Sequence, residues 1–314
     1  MKELININEQ VLYSIYGIFG LLILASIISV TIDKLGWMSD ATNLRRRVKT
    51  WWVMASMFIF ATVVGKGLSL IFFAFMSFLA LKEYFTIIPT RHSDRRVLFL
   101  AYLSIPVQYY WISRGWYGMF IIFIPTYMFL LFPLRLTLTG ETKGFLRAAG
   151  TIHWGLMITV YCLSHAAYLL MLPASGNPKG GGAALLLFLV FLTEINDVSQ
   201  YIFGKLFGRR KIAPNVSPGK TLGGLLGGIA VTTILSIFLS RLMTPLTFPY
   251  SLIAGIIISI AGFFGDIVIS SLKRDLGIKD SGKMLAGHGG ILDRVDSLSY
   301  TAPLFFHFIR YYFY

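Results

Sequence analysis

About ten runs of apolar residues, most near the roughly 20 residues that an α-helix needs to cross a bilayer, dominate this 314-residue chain. They lie at about 11–32, 51–64, 68–82, 97–112, 117–136, 151–173, 183–203, 221–240, 248–271 and 298–314. The second and third are short and separated only by Gly65, Lys66 and Gly67, so they read as two tilted helices or one broken helix. In hydrocarbon every backbone polar group must be satisfied internally, which leaves helices and closed barrels. A barrel would alternate apolar and polar residues in segments of about ten, and these runs do not alternate. The expected fold is therefore an all-α polytopic membrane protein with nine or ten transmembrane helices. Composition agrees: 13% of residues are charged, against about 25% in soluble domains. The first run lacks a basic start and a small-residue cleavage site and reads as a retained helix. The single cysteine, Cys162, excludes an internal disulfide and reads as a small packing residue.

Charge sets the orientation. The net charge of +14 argues for topology and anionic lipid before it argues for nucleic acid, which is not expected as a partner. Arg45, Arg46, Arg47 and Lys49 follow the first run, Arg91, Arg95 and Arg96 the third, and Arg135, Lys143 and Arg147 the fifth. Lys205, Arg209, Arg210, Lys211 and Lys220 follow the seventh, and a mixed-charge segment follows the ninth. The alternate loops hold little beyond Lys66, Arg114, Lys179 and Arg241. The positive-inside rule then places the N-terminus outside and the five basic loops in the cytosol, in the cell membrane (the inner membrane if the source is bacterial). Three groups are expected: membrane helices over 1–96, a middle group over 97–150, and a C-terminal catalytic group over 151–314 with its site on the cytosolic side. The polar stretches near 33–50 and 272–297 are too short to form cores of their own.

Three constellations suit chemistry. In Glu194-Ile-Asn-Asp-Val-Ser-Gln-Tyr201, Glu194, Asp197 and Tyr201 fall on one helical face, and carboxylates inside a bilayer need water, a cation or a metal. In Pro214-Asn-Val-Ser-Pro-Gly-Lys-Thr221, Ser217 suits an N-cap with Pro218 at the first helical position, and Lys220 and Thr221 add a cation and a hydroxyl to a phosphate-suited helix end. A Walker loop is rejected because its upstream glycine is absent from this run and the preceding segment is helical. Gly223, Gly224, Gly227 and Gly228 then make overlapping small-xxx-small pairs, which suit close helix packing. The third segment, 270–297, carries nine charged residues around Gly287-His-Gly-Gly290. Basic groups suit phosphates and closely spaced carboxylates suit a hard cation such as Mg²⁺, so a metal–nucleotide site at the bilayer surface is expected. A helix continuing past 273 would put Asp266, Ser270 and Lys273 on one face, and Asp293 and Asp296 share another.

Residues 270–296 resemble the signature of the phosphatidate cytidylyltransferases (CDP-diacylglycerol synthases). Ser270, Leu272, Lys273, Arg274, Lys279, Asp280, Gly282, Leu285, His288, Gly289, Gly290, Ile291, Asp293, Arg294, Val295 and Asp296 all match, as do Asp266 and Asp197. Phe203–Gly208 and Ala213–Thr221 also look like family features. Ala286, Ile269 and Gly223 depart from the family pattern at flanking positions. The resemblance implies transfer of a cytidylyl group from CTP to phosphatidate, giving CDP-diacylglycerol and pyrophosphate, with Mg²⁺ as cofactor and room for a second cation. It implies Asp293, Asp266, Asp296 and Asp197 as metal ligands. Lys273, Arg274, Lys279, Arg294 and the Ser217, Pro218, Lys220 and Thr221 turn would hold phosphates, with Ser270 and Asp280 in the substrate site. His288, Gly289 and Gly290 would let backbone approach the nucleotide. Alternatives are a polyprenol or phytol kinase, an ether-lipid cytidylyltransferase, a catalytically weak lipid-binding paralogue or a transporter. A homodimer is compatible with the chain.

Overall fold

The computed structural model describes residues 9–35, 48–49, 51–52, 55–56, 59–60, 62, 65–282 and 290–314. Among them nine helices form: α1 (Glu9–Leu35), α2 (Lys66–Ile87), α3 (Arg95–Ser113), α4 (Tyr117–Thr137), α5 (145–169), α6 (Gly181–Phe207), α7 (Leu222–Met243), α8 (Phe248–Asp275) and α9 (Leu292–Phe313). Six of these, α1, α2, α4, α6, α7 and α8, are long and apolar enough to span a bilayer, so the chain is a polytopic helical membrane protein. The other three are more polar. Arg95, Arg96 and Gln108 dilute α3, His153 and His165 dilute α5, and α9 opens on Asp293, Arg294 and Asp296. Half of the apolar run at 51–64 lies outside the described residues.

Two groups of helices meet along α9. Helices α6, α7, α8 and α9 pack on one another, α2 to α5 form a second group, and α9 also touches α5 and α2. The first group is closed by small residues. A Cβ on Gly224 would lie 2.7 Å from the Gln200 carbonyl oxygen, and one on Gly228 would lie 2.7 Å from Gln200 Cγ. Helices α6 and α7 therefore approach backbone to backbone, as the glycine spacing predicts. Asn196, fully buried, stitches three helices: its Oδ1 accepts from Ser259 Oγ (2.7 Å) and Thr232 Oγ1 (3.3 Å), and its Nδ2 donates to the Ser259 carbonyl (3.2 Å). The second group is filled by large side chains, among them the fully buried Tyr84, Phe120 and Phe132. Tyr84 also donates to the Thr151 carbonyl (2.8 Å), tying α2 to α5.

Helix α8 ends in a way that positions the site. Gly277 adopts φ +69°, the left-handed region that favours glycine, while the Gly277 and Ile278 amides bond the Arg274 and Lys273 carbonyls (3.1 and 2.9 Å). This Schellman turn reverses the chain just beyond Lys273 and Arg274 and carries Ser281 back against α9.

Candidate active site

The long α8 helix brings its polar residues into register. It runs on to Asp275, so Asp266, Ser270 and Lys273 lie along one face, and Ser270 Oγ donates to Asp266 Oδ1 (3.2 Å). One turn further on, Lys273 Nζ lies 2.6 Å from Asp293 Oδ1, in the first turn of α9. The other Asp293 oxygen accepts from the Ser281 amide (3.0 Å), the Ser281 hydroxyl (2.9 Å) and the Gly290 amide (3.1 Å). Burial alone would raise this carboxyl, but Lys273 and the two amides outweigh it and hold it below the usual carboxylate value.

The segment between α6 and α7 folds into a hairpin. The Ile212 amide bonds the Lys220 carbonyl (3.0 Å) and the Leu222 amide bonds the Arg210 carbonyl (2.9 Å). The pairing of Lys211 with Thr221 keeps 217–221 extended or turned, so α7 begins at Leu222. The cap is accordingly Thr221, whose Oγ1 accepts from the Gly224 amide (3.1 Å), and not Ser217 as the Ser-Pro step predicts. Ser217 is half-buried and Pro218 exposed in the turn. Arg210 and Thr221 already satisfy two amides of the helix end, which reduces what it offers a phosphate.

Lys220 reaches from this hairpin toward α8. Its Nζ is 2.6 Å from Asp266 Oδ2, donates to Gln200 Oε1 (2.8 Å) and sits 5.4 Å from the Phe263 ring centroid. Burial would lower this ammonium, but Asp266 and Asp197 outweigh it and hold it above its ordinary value. Asp197 feels Lys220 and Asp266, and Asp296 feels Asp266, Asp197 and Lys273. Three carboxylates from α6, α8 and α9 thus share one electrostatic neighbourhood with two lysines.

Other predicted residues are placed differently. Glu194 points to an apolar groove and interacts with Arg294, while Tyr201 is exposed under Lys205, 5.0 Å from its ring centroid. The shared face of Glu194, Asp197 and Tyr201 therefore does not converge on one site. Arg274 is exposed and joins the two loops, donating to the Val216 carbonyl (3.2 Å) and the Ile278 carbonyl (2.9 Å). Lys279 and Asp280 are exposed. Lys283, Ala286, His288 and Gly289 lie outside the described residues.

Sequence reasoning passed over Gln200, Ser281 and Glu83. Gln200 follows Asp197 by three residues, and Ser281 sits inside Lys279-Asp-Ser-Gly282. Glu83 sits in a helix of the N-terminal half, and its only local signal is a charged pair with Lys82 in an apolar run.

The donor set suits a hard cation. It is all oxygen, and Asp197 Oδ1 is buried without a hydrogen-bond partner among the described residues. Among those residues no three acidic, histidine or cysteine side chains form a ready-made cage. Lys220 instead neutralises Asp266.

The fold and this cluster describe a polytopic helical membrane protein with carboxylates and lysines gathered at one end of its C-terminal helices. The chain belongs to the cytidylyltransferase family, whose model matches residues 45–312. It is 46% identical over 298 residues, 95% of this chain and 98% of the relative, to the uncharacterized protein YnbB of Escherichia coli (strain K12). It is 39% identical to a phosphatidate cytidylyltransferase of Synechocystis sp. (strain ATCC 27184 / PCC 6803 / Kazusa) over 113 residues, 36% of this chain and 39% of that protein. It is 30% identical to a phosphatidate cytidylyltransferase of Staphylococcus epidermidis (strain ATCC 35984 / DSM 28319 / BCRC 17069 / CCUG 31568 / BM 3577 / RP62A) over 150 residues, 47% of this chain and 58% of that protein.

Proposed function

We propose that the protein transfers the cytidylyl group of CTP to phosphatidate, releasing pyrophosphate and leaving CDP-diacylglycerol in the membrane. One observation carries this reading: Asp197, Asp266, Asp296, Lys220 and Lys273 converge from α6, α8, α9 and the α6–α7 hairpin. A phosphatidate oxygen attacks the α-phosphorus of CTP, a new P–O bond forms, and the bond to the bridging β-phosphate oxygen breaks as pyrophosphate leaves. A phosphomonoester carries about −1.5 to −2 charges at neutral pH, so the nucleophile needs no strong base. What the two anions need is neutralisation and in-line placement.

Lys220, paired with Asp266, and Lys273, paired with Asp293, supply the cations, and Arg274 ties the α6–α7 hairpin to the turn after α8. Asp197, Asp266 and Asp296 would hold Mg²⁺, which when bound supplies further charge neutralisation of the triphosphate. Asp293, first in order on sequence grounds, already accepts hydrogen bonds at both oxygens, which supports a role in shaping the segment around Ser281 and Gly290. For the lipid, an apolar groove of about 330 Å³ runs between α1, Trp51 and α6 and includes Glu194, one turn before Asp197. Such a groove suits acyl chains. The catalytic apparatus then resides in 151–314, facing the cytosol with the N-terminus outside.

The test is direct. Purified protein is incubated with labelled CTP, Mg²⁺ and phosphatidate, beside separate arms containing an ether-linked phosphatidate and a polyprenol. CDP-diacylglycerol and pyrophosphate are expected. A phosphorylated lipid with CDP would identify a kinase instead, and no product in any arm would remove the enzymatic reading.

A further inference from the structure

Glu83 lies near the end of α2, far from the charged motifs in sequence, and is only 7% exposed. Among the described residues its side-chain hydrogen bonds go to Ser281, beyond α8, and to the Ile291 and Leu292 amides at the start of α9. Glu83 Oε2 accepts from the Ile291 amide (2.8 Å), and Oε1 accepts from the Leu292 amide (3.1 Å) and the Ser281 hydroxyl. Both ends of the segment are shaped to receive it. A Cβ on Gly290 would collide with the Glu83 carboxylate, and one on Gly282 would lie 2.9 Å from Oε2.

An ordinary helix cap comes from the residue just before the helix. Ile291, before α9, provides no side-chain cap. The carboxylate that satisfies the free amides comes from α2, where it also meets the positive end of the α9 dipole. Ser281 extends the connection, because its amide and hydroxyl both reach Asp293 Oδ2, and Asp293 in turn holds Lys273. One hydroxyl proton serves two carboxylates here, so Ser281 couples Glu83 to Asp293 as well as tethering each of them.

We propose that Glu83 is a positioning residue of the transfer site: it clamps residues 281–282 to 290–292 and to the start of α9, and thereby holds Asp293 and Lys273 in place. The proposal rests on the cytidylyl-transfer reading for its catalytic consequence, and on geometry alone for the clamp. It also gives the N-terminal helices a task, which is to carry one arm of a site whose charged residues lie in the C-terminal group.

The test uses the full chain in lipid nanodiscs, with Glu83→Ala and the size-conserving Glu83→Gln. Hydrogen exchange reads the clamp without any substrate. The Ile291 and Leu292 amides should exchange about tenfold or more faster in Glu83→Ala, since they lose their acceptor. Cytidylyl transfer reads positioning: kcat should fall about tenfold or more with the KM for CTP changed by less than about threefold, since geometry and not affinity is lost. Glu83→Gln keeps one acceptor oxygen and should fall between. Gly290→Ala should impair the wild-type protein yet add little to Glu83→Ala, whose shorter side chain makes room. Unchanged exchange would overturn the clamp, and faster exchange with kcat intact would overturn the positioning role. If the wild-type protein makes no CDP-lipid, the functional reading fails and the exchange measurement still decides the clamp.

Discussion

The C-terminal helices α6–α9 and the N-terminal helices α2–α5 are built by different means. The first group is drawn together by glycines and buried polar groups: Gly224 and Gly228 press on α6, and Asn196 bonds across to α7 and α8. The second is filled with aromatic rings such as Phe120 and Phe132. Lipid is as apolar as leucine, so helix association in a membrane depends on packing and interhelical hydrogen bonds. Close backbone contact holds the polar side chains of α6 and α8 in one register, which suits a site of exact geometry. Ring packing tolerates more adjustment and suits a scaffold. Glu83 is where the scaffold enters the site.

Substitutions can break this contrast. The largest effect is expected for Asp266→Asn, which removes the partner of Lys220 and one proposed cation ligand. Transfer should fall by about 10²–10³, the range for losing one preorganised electrostatic group. Pyrophosphate release measures it, and retention of full activity would remove Asp266 from the site.

Phe120→Ala should show the opposite pattern. In lipid the transfer contribution largely vanishes, leaving the cavity contribution of ~24 cal/mol per Å³, or about 2 kcal/mol for a ring of about 100 Å³. Thermal unfolding in detergent should register that loss while kcat and KM stay at wild-type values. A large change in kcat would show that the two groups are not separable in this way.

Gly224→Ala should do some of both. Its Cβ would meet the Gln200 carbonyl oxygen at 2.7 Å, which is backbone and cannot swing aside. Overpacking should cost about 1–2 kcal/mol. It should also raise the KM for CTP several-fold, because Gln200 is a hydrogen-bond acceptor of Lys220. Activity identical to wild type would separate the α6–α7 contact from the site.

The smallest effect concerns acid. Asp293 is held below its ordinary value of 3.8, so its contribution to stability is present above that value and fades as pH falls through its lower folded value. Asp293→Asn has no such group to titrate and should lose less stability than the wild-type protein as the solution is taken below about pH 4. Equal acid sensitivity of the two proteins would dismiss Asp293 as a source.

Much of the molecule is legible in its sequence. Apolar runs locate the helices because a bilayer admits little else, and the glycine spacing on α7 foretells its close contact with α6. The Asp266–Ser270 hydrogen bond follows from a four-residue step once α8 is known to pass residue 273. Some local rules fail where another part of the chain intervenes. Ser217-Pro218 has the form of a helix start, yet pairing of 210–212 with 220–222 moves that start to Thr221. Glu194 and Tyr201 share a helical face with Asp197 without sharing its surroundings.

By itself the sequence determined an all-helical membrane protein of this family and put basic and acidic groups at one end of its C-terminal helices. Those properties follow from apolar length, local spacing and residue type. Only the tertiary structure decided which charges meet. Lys220 faces Asp266 because a hairpin bends it back over α8, and Lys273 faces Asp293 because a left-handed glycine reverses the chain after α8. Glu83 joins them because α9 packs against α2, bringing free helix-end amides to a carboxylate 208 residues away. A spacing rule reaches one or two turns of helix, whereas a buried hydrogen bond depends on distance in space.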